Sequence, residues 1–141
     1  MRKASLLAAV ATLMFGMVAP GVAVARPRTY VTAPDCQHLR IRPHSILFTC
    51  ADHTYFVRRL EWSHWGPWKA IGTGVFHRND CNPSCAEGTF HHRRGTLRLS
   101  DRGSCPDMGK HVFKWSRAHY NRPLLGEDGE AGALPLCPTA S

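Results

Sequence analysis

Six cysteines constrain what this chain can fold into more than any other feature of its sequence. They are Cys36, Cys50, Cys81, Cys85, Cys105 and Cys137, and all of them follow an N-terminal segment that has the form of a secretory signal. An even number of cysteines in an exported chain of this length predicts a disulfide framework. Six cysteines allow fifteen pairings, and their spacing alone does not select one of them. We therefore expect a small fold held by three disulfides.

The N-terminal segment predicts export from the cell. Arg2 and Lys3 precede an apolar run that Pro20 and Gly21 interrupt, and "AVA" at positions 23–25 matches a small-x-small cleavage site. The run is shorter than the ~20 residues that span a bilayer, and no second apolar stretch follows. We expect residues 1–25 to be a signal peptide, and the mature chain to be extracellular and without a transmembrane segment.

The rest of the chain predicts an all-β fold. Short β-favouring or alternating segments, such as "YFVRRLEW" (55–62), "GTLRLS" (95–100) and "HVFKWSRAHY" (111–120), are separated by turn residues. In the last of them, Phe113 and Trp115 fall on one side. No segment shows an apolar repeat of helical period and length. The pattern favours a small, disulfide-stapled antiparallel sandwich or barrel.

Composition divides the mature chain into three parts. Residues 26–35 are punctuated by proline and predict an extended arm, and residues 36–123 hold the predicted strands. Residues 124–141 are poor in bulky apolar side chains, which predicts a flexible tail tethered at Cys137.

The formal net charge of +8, to which Arg2 and Lys3 contribute two, bears on the partner. A basic chain favours an anionic partner such as a cell-surface polymer, although an extracellular protein stays open as the partner. An arginine-rich chain that is also rich in Ala, Gly and Pro is, however, what a GC-rich coding sequence produces without selection for a ligand.

Three tryptophans lie in "EWSHWGPWKAIGTG" (61–74). Trp62 closes an alternating strand and is assigned to the core. The Gly-Pro turn at 66–67 separates Trp62 from Trp68, so the three indoles do not form one stripe. Exposed indoles beside cations could stack on sugars or bases. The candidate binding set is Trp65, Trp68, Arg58, Arg59 and Lys69.

The spacing of His77, Cys81, Cys85 and His91 or His92 also resembles a zinc-ligand set. An oxidising compartment favours disulfides instead, so no metal site and no cofactor are predicted.

No catalytic residues are assigned, and the sequence favours a non-enzymatic protein. A hydrolase or nuclease stays open as an alternative, and it requires a cleft that contains His53 or His64 with Glu61 and Arg58. An extracellular protease inhibitor is the second alternative, and it predicts a protruding, disulfide-braced loop, for which "NDCNPSCAEG" (79–88) is the best candidate.

Four motifs resemble one family. "RPHSILFTCAD" (42–52), "LEWSHWGPWKAIGTG" (60–74), "NDCNPSCAEGTF" (79–90) and "VFKWSRAHYNRP" (112–123) occur in this order. Together they resemble a family of small secreted actinobacterial proteins that has no assigned activity. The resemblance implies an extracellular setting and pairing of Cys36 with Cys50 and of Cys81 with Cys85. Cys105 and Cys137 lie outside the shared pattern, which supports their pairing with each other.

These observations predict a secreted, non-enzymatic binding module that acts at or outside the cell surface.

Overall fold

The structure, a computed structural model, describes residues 28–32, 36–106, 108–126 and 130–137. The predicted signal peptide therefore lies outside the described residues. Eight strands are present, and no helix occurs among the residues described. The strands are β1 (Val31–Thr32), β2 (Leu39–Arg40), β3 (Ile46–Leu47), β4 (Tyr55–Trp65), β5 (Ala70–Asn79), β6 (Phe90–Cys105), β7 (Gly109–Tyr120) and β8 (Glu130–Pro135). No helix of this part of the chain is long and apolar enough to cross a membrane.

Strands β3 to β8 form one antiparallel sheet in which each strand pairs with its neighbours in sequence. The sheet curls into a half-barrel, and β1 and β2 form a separate two-stranded pair. The prediction of an all-β, antiparallel, disulfide-stapled fold is confirmed. The long strands β4 to β7 extend beyond the predicted segments, because each pairs along most of its length with a neighbour.

Side chains of one parity fill the concave side of the sheet. In β5, Ala70 and Phe76 are buried, and in β6 Leu97 and Leu99 are buried, as alternation requires when one face covers a core. We call the opposite side of β4 to β8 the outer face. It carries the other parity, and most of its side chains are partly or fully exposed.

Two glycines of β5 allow β4 to approach closely. A Cβ on Gly74 would lie 2.9 Å from the Arg58 carbonyl oxygen, and one on Gly72 would lie 2.9 Å from the indole of Trp62. The pairing of β4 with β5 shifts register twice beside them, between Arg58 and Glu61 and between Trp62 and His64. The close approach at these glycines occurs together with the two bulges.

The described part of the predicted N-terminal arm is extended. Tyr30 exchanges main-chain hydrogen bonds with β7, donating to the His111 carbonyl and accepting from the Phe113 amide at 2.9 Å each. The next residue, Val31, is fully buried in the core cluster. The arm therefore covers one end of the half-barrel. Residues 26, 27 and 33–35 lie outside the described residues.

The predicted flexible tail differs in the structure, because Glu130–Pro135 forms β8 on the edge of β7. Leu134 packs against the core, and Leu136 is buried and donates its amide to the Lys114 carbonyl at 2.8 Å. The composition of residues 124–141 does not predict β8, because this strand is stabilised by main-chain hydrogen bonds to the edge of β7, which only the folded chain provides.

All six cysteines are paired. The disulfides are Cys36–Cys50, Cys81–Cys85 and Cys105–Cys137. The last of them joins the end of β6 to the residue that follows Leu136, and so holds β8 in place. The prediction that the cysteines form disulfides is confirmed.

Candidate binding site on the outer face of the sheet

Trp62 and Trp65 are partly buried and pack against the core. Their rings meet edge to face at 4.6 Å, and Trp65 meets Phe113 in the same way at 5.6 Å. Each indole N–H is bonded to a main-chain carbonyl, Trp62 to Pro43 at 2.8 Å and Trp65 to Thr29 at 3.0 Å. Both indoles therefore connect distant segments of the fold, and Trp65 does not stand free as a stacking surface.

Trp68 is the exposed indole of this stretch, with 66% of its surface accessible. The Arg102 guanidinium lies over its ring, 4.4 Å from the ring centroid, which is the geometry of a cation–π contact. Lys69 is exposed beside it. Trp65 and Trp68 thus differ in burial and in partners, and a role for them in binding stays a prediction.

Arg58 and Arg59 are both exposed but differ in their setting. The Arg58 guanidinium lies 4.6 Å from the centroid of the Phe56 ring on the outer face. Arg59 has a φ of 53° at the first bulge of β4, in the left-handed region that non-glycine residues seldom occupy. Lys69 follows Trp68 in the chain, but among the described residues neither Arg58 nor Arg59 makes a cation–π contact with Trp65 or Trp68.

The cleft required by the enzyme alternative is not assembled in the part of the chain that the structure describes. His53 and Arg58 line one groove, which lacks Glu61 and His64. His64 lines another groove beside Trp65, and that groove lacks Arg58 and Glu61. The hydrolase or nuclease alternative therefore gains no support from the geometry.

The Cys81–Cys85 loop is braced rather than extended. Asn79, which is buried, accepts the Cys81 amide and donates to the Cys85 carbonyl. The two cysteine Cα atoms lie 3.8 Å apart, whereas five residues of extended chain span about 13 Å. A loop that inhibits a protease as a bound substrate presents an extended main chain, and this ring does not provide one.

Asp80 fixes the base of the same loop. Its carboxylate accepts hydrogen bonds from His91 at 3.0 Å and from the amides of Thr89 and Asn82, and these bonds hold the pKa of Asp80 below its ordinary value. The two thiolates that the zinc alternative requires are joined in a disulfide. These residues thus shape a loop, and no group of three metal-ligating side chains occurs among the residues that the structure describes.

A groove of about 570 Å³ crosses the outer face over strands β5 to β8. Its volume lies within the range of small-ligand sites. The lining residues come from four strands: Ile71, Thr96, Arg98, Ser100, Trp115, Ser116, Arg117, His119 and Ala133. The sequence prediction did not include this groove, because its residues become neighbours only through strand pairing.

The polar character of the groove comes from an arginine pair. Arg98 of β6 and Arg117 of β7 are direct cross-strand partners, and both side chains are exposed. Neither guanidinium has a carboxylate partner within the described residues, and none of the described residues that line the groove is acidic. Like charges placed directly opposite each other destabilise a sheet. The free protein therefore carries an electrostatic cost here that a bound anion would remove.

Trp115 supplies an aromatic surface next to this pair. It lies two residues before Arg117, on the same side of β7, and 40% of its surface is accessible. Phe113, which was predicted to share a side with Trp115, is fully buried where Trp65 packs on it. An exposed indole beside two guanidinium groups can bind a ring that carries an anionic group.

Comparisons of the chain with protein-family models, with curated proteins and with solved structures found no match. The fold and the outer-face groove therefore carry the functional argument.

Proposed function

We propose that this protein is a secreted, non-enzymatic binding module that acts at or outside the cell surface and takes an anionic ligand in the outer-face groove. The observation that carries the proposal is the Arg98–Arg117 pair, which has no carboxylate partner among the described residues and lies beside exposed Trp115. Three disulfides support an extracellular setting, because such bonds persist in oxidising compartments. The resemblance to small secreted actinobacterial proteins is part of this proposal.

The two guanidinium groups of the groove favour an anionic ligand. Two guanidinium groups on adjacent strands present parallel N–H donors, which match carboxylate, sulfate or phosphate oxygens. Hydrogen bonds to charged groups contribute about 1.5–3 kcal/mol each. Loss of both arginines should therefore weaken binding by about tenfold to a hundredfold, even if part of this energy is screened by solvent.

The test compares two double variants for binding to immobilised heparin, chosen as a general anionic polymer. Arg98→Gln with Arg117→Gln should bind at least about tenfold more weakly than the wild type. Arg40→Gln with Arg122→Gln removes the same charge from two exposed positions outside the groove and should bind nearly as well as the wild type. Wild-type binding should also weaken as salt is added.

Stability measurements separate a loss of ligand contacts from a loss of fold. Since the arginine pair is repulsive in the free protein, its removal should leave the unfolding midpoint unchanged or raise it. Weak binding by a stable groove variant supports the proposal. Equal binding by the two double variants, or salt-independent binding, would refute it.

A further inference from the structure

We infer that the anionic ligand is a linear acidic glycan, and that it extends from the groove along β6 to a second cationic cluster on the same face. This inference rests on the proposed function. It adds the polymeric nature of the ligand, its chemical class and a second binding region.

The second cluster, which we call the His77 cluster, consists of Phe56, Arg58, His77, His92 and Arg94. The strand register brings Phe56, His77 and His92 into one row across β4, β5 and β6, and Arg58 and Arg94 into the next row, on either side of Val75. The His77 ring stacks on Phe56 with centroids 4.9 Å apart, and it lies 5.9 Å from the His92 ring.

The His77 cluster lacks a neutralising acid in the described structure. Burial lowers the pKa of His77, and the positive charges of Arg58, His92 and Arg59 lower it further. The nearest acidic position in the register of this face is Glu61, which pairs with Thr73 in the row next to Arg58, and no ion pair joins Glu61 to Arg58 in the described structure. This region, like the groove, therefore offers positive charge to a ligand.

Strand β6 connects the two regions in a straight line. His92, Arg94, Thr96 and Arg98 alternate along it and share the outer face. Four residues of strand separate Arg94 from Arg98, which is about 14 Å. A small anion held between Arg98 and Arg117 lies about 14 Å along the strand from Arg94, whereas a chain with repeated anionic groups can contact both regions.

The chemistry favours a glycan over a nucleic acid. The groove offers one exposed indole, Trp115, which suits stacking on the face of a single sugar ring. In the His77 cluster, Phe56 and His77 stack on each other and do not present two separate ring faces, whereas single-stranded nucleic acids are bound on successive stacked bases.

The experiment measures binding to heparin fragments of two lengths by titration calorimetry. The wild type should bind an octasaccharide about tenfold more tightly than a disaccharide, and with a steeper dependence on salt. Arg58→Gln with Arg94→Gln should remove this gain with length while leaving disaccharide binding unchanged. The charge-matched Arg40→Gln with Arg122→Gln variant should retain the gain.

Two further measurements make the outcomes distinct. The pKa of His77, followed by NMR, should rise when the octasaccharide binds and should not change with the disaccharide, because only the longer chain brings anions to Arg58, Arg59 and His92. A single-stranded oligonucleotide of equal charge should bind more weakly than the octasaccharide.

Equal affinity for both fragment lengths, or an unchanged length dependence in the Arg58 and Arg94 variant, would overturn the extended site while leaving the proposed function standing. Tighter binding of the oligonucleotide would overturn the glycan class. A wild type that binds neither fragment nor the oligonucleotide would refute the proposed function as well.

Discussion

Replacing Trp65 with alanine removes an indole that ties three segments of the fold together. The ring packs edge to face on Trp62 and on Phe113, and its N–H donates to the Thr29 carbonyl at 3.0 Å. Thr29 is only 2% exposed, so water does not readily replace the lost donor. Trp68, three residues later, is largely exposed and has one described aromatic contact, with Arg102.

The expected magnitudes follow from burial. Truncation of a buried tryptophan costs about 3–5 kcal/mol, and the partial exposure of Trp65 places Trp65→Ala near the lower end, at about 3 kcal/mol. Trp68→Ala loses an exposed cation–π contact and should cost about 0.5–1 kcal/mol. Trp65→Phe retains most of the ring packing but not the hydrogen bond, and should cost about 1 kcal/mol beyond the difference in ring size.

Urea unfolding followed by circular dichroism, with the disulfides intact, measures these differences. With an m-value of about 1.5 kcal/mol per M, Trp65→Ala should lower the midpoint by about 2 M and Trp68→Ala by less than about 0.7 M. An unchanged midpoint in Trp65→Ala, or a larger loss in Trp68→Ala, would show that Trp65 is not an anchor of the fold. Trp65 and Trp68 would then again be candidates for a pair of stacking side chains.

Three other perturbations test the loop, the tail and the sheet. Hydrogen bonds hold the pKa of Asp80 below its ordinary 3.8, so its carboxylate stabilises the fold above about pH 4 and this contribution disappears as the pH falls further. Asp80→Asn should therefore reduce the loss of stability at acid pH, measured by thermal unfolding. Replacing Cys105 and Cys137 with serine opens the 33-residue loop that the disulfide closes and should cost about 3.7 kcal/mol in chemical denaturation, with loss of amide protection in β8; retained protection would contradict the role given to this bond. Gly95→Ala places a Cβ 2.5 Å from the His119 carbonyl oxygen, so it should lower the melting temperature sharply, whereas Gly132→Ala, with nothing within 4 Å, should not.

The local sequence was informative wherever one face of a strand is buried and the other is not. Alternation in "GTLRLS" (95–100) identified part of β6, in which Leu97 and Leu99 share one face and are both fully buried. Gly72 and Gly74 of β5 permit the close approach of β4 for a local reason, because they have no Cβ. Six cysteines behind a predicted export signal indicated disulfides, from their number and the expected compartment.

The local sequence does not predict burial or strand pairing that depends on distant segments of the chain. Phe113 and Trp115 share one alternation pattern, yet Trp65 covers Phe113 and Trp115 remains exposed. The tail resembles a disordered segment in composition, but the free edge of β7 supplies the hydrogen bonds that make residues 130–135 a strand. Secondary-structure propensity describes one segment at a time, whereas the burial of a side chain under another segment and the pairing of an edge strand depend on two segments.

The candidate site shows the same division. The sequence by itself determined that Arg98 stands between Leu97 and Leu99, so that its side chain faces away from theirs in a strand. Only the tertiary structure decided that Arg98 lies opposite Arg117, because register is fixed by pairing along the whole length of two strands and a slip of one residue would send one of these side chains into the core. The Arg98–Arg117 pair, and with it the groove, therefore forms only in the assembled sheet.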